Sequence, residues 1–468
     1  MDYIRTEQNG QLIFTQSSDY LQIPSSLYGF HNTETTVETA KSGRTVYCHI
    51  GYADITEDDR ICPVCGAKMY VNNSPEIVIR HLPIGGDLSV LRFPHHQLRC
   101  SKCHKAKVHF LPFKAEGHMI TDALYQYALD LLASGVYTNK QVAEITGLGK
   151  NTVKEIDKKR LQERYTIDGV KLIQPETTTR YLGIDEFKLH DGNHFATHII
   201  DLVTGHILWI QKGKKKQVVY DFIDHVGLDW MDNVEAVACD MNTDYFEAFE
   251  EKCPHIQPVF DYFHVVQNFN KKVISEVRKD EQKRLREEGD IDAANALTGS
   301  KYILISKRST LQKKDAAAGS VIHKGSELFK TEDIIRHSGY EEKYDALLKE
   351  NKLLFTIDLI KEKLSAAYAM TDEARMADAI IDIMDICQAT GNEHLLRFNN
   401  MLDAHFEGII AHATYKISSG KIEGINQKIK TLRRQGYGYP DDEYFFLKLI
   451  DASRKKYVRN PKSHRICD

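Results

Sequence analysis

The strongest constraint on the fold is a run of short apolar, β-branched segments that begins at Tyr181. YLGIDEFKLH, HFATHIIDLV and HILWIQKG are separated by the turn signals DGN and TG, which reads as an antiparallel meander. KKKQVVYDFIDHVGLDW then has a helical period, VEAVACD is strand-like, TDYFEAFEEKC is helical and IQPVFDY is strand-like again. Beyond that the period stays helical, almost without interruption, to about residue 410. Three antiparallel strands followed by helix, strand, helix, strand and helix specify an α/β domain built on a mixed five-stranded sheet.

Three acids stand out by context. Asp185 lies inside the first strand, Asp240 ends the fourth, and Glu423 opens the amphipathic helix of SSGKIEGINQKIKTLRR. An aspartate in an apolar strand is costly to bury unless it is paired or metal-bound. The plainer readings are that Asp185 is a strand-edge acid and that Asp240 caps the helix TDYFEAF. Glu186 points to the opposite face of the sheet from Asp185. The order of elements is that of a ribonuclease H-like domain, whose first strand, fourth strand and a later helix each bring one carboxylate. The 183 residues from Asp240 to Glu423 are too many for a loop, so an all-α insertion over 275–405 is expected. Helical spacing puts Glu423, Asn426, Lys430 and Arg434 along one face, with Arg433 beside them, so the carboxylate suits a metal and the amide and cations are candidates for contacting a DNA phosphate backbone. Gly420 and Gly424 keep the start of that helix small, so that DNA or another backbone can approach. Three carboxylates so placed suit two catalytic Mg²⁺ or Mn²⁺ ions that clamp a phosphoryl displacement. Asp261 and His264 follow the fifth strand. His264 is a candidate for contacting the scissile phosphate or orienting a ligand, and a packed histidine is the plainer alternative.

Upstream lie two C-x-x-C knuckles, Cys62–Cys65 and Cys100–Cys103, in a segment holding five of the nine cysteines. Four thiolates in a reducing compartment suit structural Zn²⁺. The 34 residues between the knuckles contain the alternating EIVIRHLPIGGDLSVLRF, expected to form the ribbon. Residues 138–164 read as a helix-turn-helix. Thr138 caps the first helix, Gly147-Leu148-Gly149 makes the turn, and a second helix from Asn151 exposes Asn151, Thr152, Lys154, Glu155 and Lys158 to a major groove. Lys212, Lys214, Lys215 and Lys216 form a basic turn, either solvated or touching target DNA. The expected domains are an appendage at 1–45, a zinc ribbon at 46–115, the helix-turn-helix at 119–165, the core at 179–274, the helical insertion at 275–405 and the end of the core at 406–468.

Net charge is −4, so basic surface has to be local. It is local: residues 421–434 hold five Lys/Arg against one Glu, and 450–466 hold six against one Asp. No stretch approaches the ~20 apolar residues of a membrane span, and the start MDYIRTEQNG is too polar for a secretory signal. A cytoplasmic protein, associated with the nucleoid when on DNA, is expected.

GIDEF, ACDMN, FDYFHVVQNFN and SGKIEGINQKIKTLRRQGYGY resemble the DDE transposases of bacterial insertion sequences, nearest to the ISL-three family. The resemblance runs from the cysteine region to the end of the chain. It implies the ribonuclease H-like fold, an acidic triad at Asp185, Asp240 and Glu423, two catalytic metal ions, and cleavage at transposon ends followed by joining to target DNA. It also implies double-stranded DNA as partner and a homodimer in the synaptic complex, with no nucleotide cofactor. Two other functions compete: a transposase-derived DNA-binding regulator without catalysis, and a metal-dependent nuclease that cuts without joining.

Overall fold

A computed structural model describes residues 4–8, 11–15, 27–239, 241, 243–319, 321–324, 332–335, 338–418, 420–436 and 438–455. The chain forms two compact units, Met1–Ile173 with Lys430–Asp468, and Gln174–Ile429.

The first unit opens with β1 (Ile4–Gln8), β2 (Gln11–Thr15), β3 (Phe30–Thr39), β4 (Thr45–Ala53), β5 (Met69–Asn73), β6 (Glu76–Ile84), β7 (Asp87–Pro94), β8 (Gln97–Cys100) and β9 (Ala106–Val108). Six of these make one sheet in the order β1-β2-β3-β4-β7-β6, with β4 and β7 parallel. The other three make a small sheet, β5-β8-β9. This differs from the expected ribbon. The hairpin between the two knuckles, β6 and β7, leaves the ribbon and joins the large sheet. Its inward side chains Ile79, Leu91 and Phe93 pack with Phe30 and Phe113. The ribbon's own core, Met69 and Leu98 beside Cys62 and Cys100, is too small to receive them.

Three helices follow, α1 (Asp122–Ser134), α2 (Asn139–Thr146) and α3 (Lys150–Tyr165). Thr138 and Gln141 form a capping box at the start of α2, and Gly147 ends it at φ 72°. Leu124, Ala128, Val142, Ala143, Val153 and Ile156 share one core, as the sequence pattern requires.

In the second unit the order is β10 (Tyr181–His190), β11 (His194–Asp201), β12 (Ile207–Lys212), α4 (Lys216–Val226), β13 (Ala236–Ala238), α5 (Thr243–Lys252), β14 (Gln257–Val259) and α6 (Tyr262–Phe269). The strands form one sheet, β12-β11-β10-β13-β14. The first three are antiparallel; β13 pairs parallel with β10, and β14 parallel with β13. Leu182, Ile184, Ile199 and Val237 are buried with Phe222 of α4 and Tyr245 and Phe249 of α5.

A π-helical turn, Asn270–Ile274, leads to α7 (Ser275–Glu287), and further on come α8 (Tyr340–Glu350), α9 (Lys352–Ala367), α10 (Glu373–Thr390) and α11 (Glu393–Ala404). The region is not all-α: Val321–Lys324 and Glu332–Ile335 pair as an antiparallel hairpin. Four-residue strands are too short to show against a long helical period.

The last helices are α12 (Gly420–Gln435) and α13 (Asp442–Arg454). Residues from Lys430 onward group with the first unit, whereas the sequence reading closed the core with everything after 406. The reason is an ionic contact between α13 and α3. Asp157, fully buried, receives Lys448 at 2.8 Å, the Tyr444 hydroxyl at 2.6 Å and Arg160 at 2.8 Å. Asp451 receives Tyr165 at 2.7 Å and Lys455 at 3.0 Å. Burial pushes the Asp157 carboxyl up, but Lys448 and Arg160 outweigh it, and the group is held below the usual carboxylate range.

Candidate active site

β10 carries Asp185 on the sheet face turned away from the α4–α5 core. Its neighbours alternate to the core side. Ile184 is buried there, and Glu186 accepts a 3.2 Å hydrogen bond from the Tyr245 hydroxyl, which also meets Thr197 Oγ1 at 2.9 Å. Glu186 therefore fastens α5 to β10, in keeping with strand alternation.

The half-buried Asp185 is oriented through both oxygens. Oδ1 accepts the backbone N–H of Glu186 at 2.8 Å, and Oδ2 accepts Asn426 Nδ2 at 2.7 Å. Asn426 is 241 residues away, on α12. The sequence reading placed this amide along a DNA backbone; in the structure it lies against the first carboxylate. Its other end, Oδ1, is buried and has no hydrogen-bond partner among the described residues.

α12 reaches the sheet because position 183 is glycine. A Cβ there would lie 2.9 Å from Ile422 Cδ1 and Cγ1 and 2.9 Å from Leu202 Cδ2. Ile422, Ile425 and Ile429 form the buried stripe of the helix, and Lys421 Nζ donates to the Leu202 carbonyl at 2.6 Å. Glu423 is exposed in the first turn, one turn ahead of Asn426, where a carboxylate complements the helix dipole. Arg433 is half-buried in the last turn, and Lys430 and Arg434 are exposed. At Gly424 a Cβ would meet open space among the described residues.

Across the sheet from Asp185, in direct register, is His198. Directly opposed residues share a face. Both ring nitrogens of His198 are buried without a hydrogen-bond partner among the described residues, and burial brings the imidazole down to about 4. Phe187 lies 6.0 Å from it, ring to ring. These two side chains bring no positive charge to Asp185 at neutral pH. The sequence signal for His198 was a histidine within the apolar run HFATHIIDLV, and the sequence reading passed over it.

Asp240 lies outside the described residues. His264 sits half-buried in the first turn of α6, its backbone N–H bonded to the Asp261 carbonyl at 3.1 Å and its ring 5.6 Å from that of Phe263. Asp185, Glu423 and the orphaned Asn426 oxygen are hard oxygen donors. Such donors fit Mg²⁺ or Mn²⁺ rather than a softer metal.

The four knuckle cysteines converge. Cys62–Cys103, Cys65–Cys100 and Cys65–Cys103 are each 3.5 Å apart at Sγ, and all four ligand atoms lie within 4.8 Å of one another. Cys100 Sγ accepts the N–H groups of Lys102 and Cys103 at 3.3 and 3.4 Å, hydrogen bonds that favour a thiolate. Cys48 is buried in β4, and His49 is bonded to Thr35 and Ser89. A second group, Asp280, Glu393 and His394, is a polar network joining α7 to α11: His394 Nε2 is 2.7 Å from Asp280, and Arg397 holds Glu393 at 2.8 Å.

On α3, Asn151 is exposed and Thr152 half-buried. Lys154 and Lys158 do not face open solvent as the sequence reading had them. Both hold the Asp441 carboxylate at the start of α13, at 2.9 and 3.0 Å. The exposed stripe is instead Asn151, Glu155 and Lys159. In the basic turn, Lys216 pairs with Glu247 and Glu251, and Lys214 lies over the Phe195 ring at 4.4 Å. Among the described residues no helix is long and apolar enough to cross a membrane.

Comparison with known proteins identifies the family. Residues 182–449 match a family model described as transposase, of the DDE type named for ISL3. Residues 58–103 match the zinc-finger of the transposases of IS204, IS1001, IS1096 and IS1165. The chain is 29% identical over 404 residues to the transposase for insertion sequence element IS1001 of Bordetella parapertussis, which covers 86% of this chain and 90% of that one. The two matches take in both the four-cysteine cluster and the sheet with its Glu423 helix, and the chain belongs to the ISL3 family of transposases.

Proposed function

We propose that this transposase binds the terminal inverted repeats of an insertion sequence and cuts and joins DNA strands at one site. That site is made of Asp185, Asp240 and Glu423 on a ribonuclease H-like core. The observation that carries the reading is the 2.7 Å contact of Asn426 with Asp185, which brings the Glu423 helix onto the Asp185 face from 241 residues away.

A pair of divalent ions, when bound, activates water and stabilises the attacking and leaving oxygens of an in-line displacement. The protein's part is to hold its oxygens in place. Asp185 is oriented by donors to both of its oxygens, and Glu423 stands on a helix fixed by three buried isoleucines. Water attacks a phosphodiester at the transposon end, leaving a 3′-hydroxyl and a 5′-phosphate. The 3′-hydroxyl then attacks a target phosphodiester, one P–O bond forming as another breaks. Lys430, Arg433 and Arg434 grip the phosphate backbone further along α12, and His264 contacts the scissile phosphate. The four cysteines hold Zn²⁺ as a structural ion. The helix-turn-helix, α1 to α3, reads the repeat, with Asn151 and Thr152 on its groove side, and Lys154 and Lys158 anchor it from the α13 side. Two copies bridge the two ends.

The test is incubation with Mg²⁺ and a labelled duplex carrying the element's own terminal repeat, beside Asp240→Ala and Glu423→Ala. Cleavage at the repeat boundary with joined products, lost in both variants, is the expected result. Specific binding without cleavage, in Mn²⁺ as well, would replace this reading with that of a regulator. Cleavage without joining would make it a nuclease.

A further inference from the structure

We propose that Asn426 is a ligand of the ion held by Asp185, so that the acidic triad works with an amide as a fourth member. The inference rests on the proposed two-metal reading and extends it to a residue on the same helix as Glu423.

Three observations lead there. First, Asn426 Nδ2 is 2.7 Å from Asp185 Oδ2. Second, Asn426 Oδ1 is buried with no donor among the described residues. A buried acceptor without a donor is rare and calls for a compensating water or ion. Third, the amide is in place for the ion's neighbourhood, because α12 is held to the sheet by Ile422 packing at Gly183 and by Lys421 on the Leu202 carbonyl.

The two ends of an amide occupy nearly the same space, so a half-turn about χ2 exchanges them without steric cost. The buried end makes no hydrogen bond in the present orientation, so the turn breaks the single bond to Asp185. Without a cation, the turned amide would set two oxygens 2.7 Å apart and repel. With one, that spacing suits coordination. Two adjacent oxygens of an octahedral Mg²⁺ at 2.0–2.1 Å are about 2.9 Å apart. The 2.7 Å contact is therefore close to the spacing that coordination would require. The N–H end ties α12 to Asp185, and with the amide turned the oxygen end would lie beside Asp185 on a bound ion.

The measurement is Mn²⁺ binding to the full-length, zinc-loaded protein, read from the paramagnetic resonance signal of free Mn²⁺, with thermal melting of each variant. Asn426→Ala is expected to bind about 10–100-fold more weakly, the scale for removing a supporting group at a metal site, with an unchanged melt. Asn426→Asp keeps an oxygen and is expected to bind within about threefold of the parent. Asp185→Asn serves as the reference for loss of the site. Parent-like binding by Asn426→Ala, with loss in Asp185→Asn, overturns the amide ligand and leaves the triad standing. Parent-like binding by Asp185→Asn overturns the triad reading itself, and this proposal with it. If Asn426→Ala fails to fold, Asn426→Asp decides: parent-like affinity supports the ligand, and loss equal to that of Asp185→Asn shows that only the N–H end mattered and overturns it.

Discussion

The α3–α13 contact and the β10–α12 contact both join a helix to acidic side chains, and they treat the charge in opposite ways. At α3–α13 the acids are saturated. Asp157 has Lys448, Arg160 and Tyr444, Asp451 has Tyr165 and Lys455, and Asp441 has Lys154 and Lys158. At β10–α12 two neutral donors, a backbone N–H and a side-chain amide, hold the first acid. Asp185 takes an amide and a backbone N–H, its opposite neighbour His198 is uncharged, Glu423 stands exposed, and Asn426 keeps a buried oxygen unmatched. Charge matched within the protein holds structure together. Oxygens ordered by neutral donors are suited, under the proposed function, to receive a cation.

The sharpest way to break this contrast is to remove a charge from each side. Asp185→Asn and Glu423→Gln are expected to cut strand cleavage by about a hundredfold to a thousandfold, the scale of one preorganised electrostatic group, while the melting temperature stays where it was. A large fall in stability would mean that these acids are structural after all. Asp157→Ala should do the reverse: about 3–5 kcal/mol lost in urea denaturation, because largely buried Lys448 loses its carboxylate partner and Arg160 keeps only its 3.4 Å contact with Asp451. An unchanged denaturation midpoint would refute the saturated reading of that interface.

Gly183→Ala probes the approach of α12 itself. The new methyl meets the side chains of both Ile422 and Leu202, so either they move aside or the helix shifts, and displacement of the site's groups by an ångström costs up to about a hundredfold in rate. Cleavage should fall with little loss of stability, and Ile422→Val should recover part of it by making room.

The smallest effect is on pH dependence. Burial tends to raise the Asp441 carboxyl, but hydrogen bonds from Lys154, the Tyr444 N–H and Lys158 outweigh it and hold the group at about 2. That is below the unfolded value of about 3.9, so its stabilisation is complete above about pH 5 and is lost as pH falls through 4 toward 2. His49, His81 and His198 are brought down to about 4 by burial. Their contribution is present above about pH 6.5 and is lost between there and 4. Asp441→Asn should therefore lessen acid destabilisation below about pH 5 and leave the loss between about 6.5 and 5 unchanged. A change confined to the higher window would place the titrating group elsewhere.

Much of the architecture was legible because it is local. The β-branched runs from Tyr181, the Thr138–Gln141 cap and the C-x-x-C spacing each report on a few neighbouring residues. What escaped the sequence reading depends on partners far away in the chain. Lys154 and Lys158 looked free to meet DNA because Asp441, 283 residues beyond Lys158, gives no local sign of its destination. Asn426 looked like a polar residue on a basic stripe, since nothing near it shows that its amide will meet Asp185. The strands β6 and β7 were read correctly as strands but assigned to the wrong sheet, because alternation fixes which side of a strand is apolar and not which sheet will cover it.

That hairpin has a consequence for the metal. The two knuckles stand at the neck of a segment whose far end is pinned in a different sheet. Taking zinc away leaves β6 and β7 paired with each other and with β4, so the neck cannot drift open as a free loop of its length would. The emptied ribbon keeps a memory of its closed form. Reloading should then be a capture by four thiols already near their stations, and a chelated preparation should regain its metal faster than a ribbon that must first find its own ends.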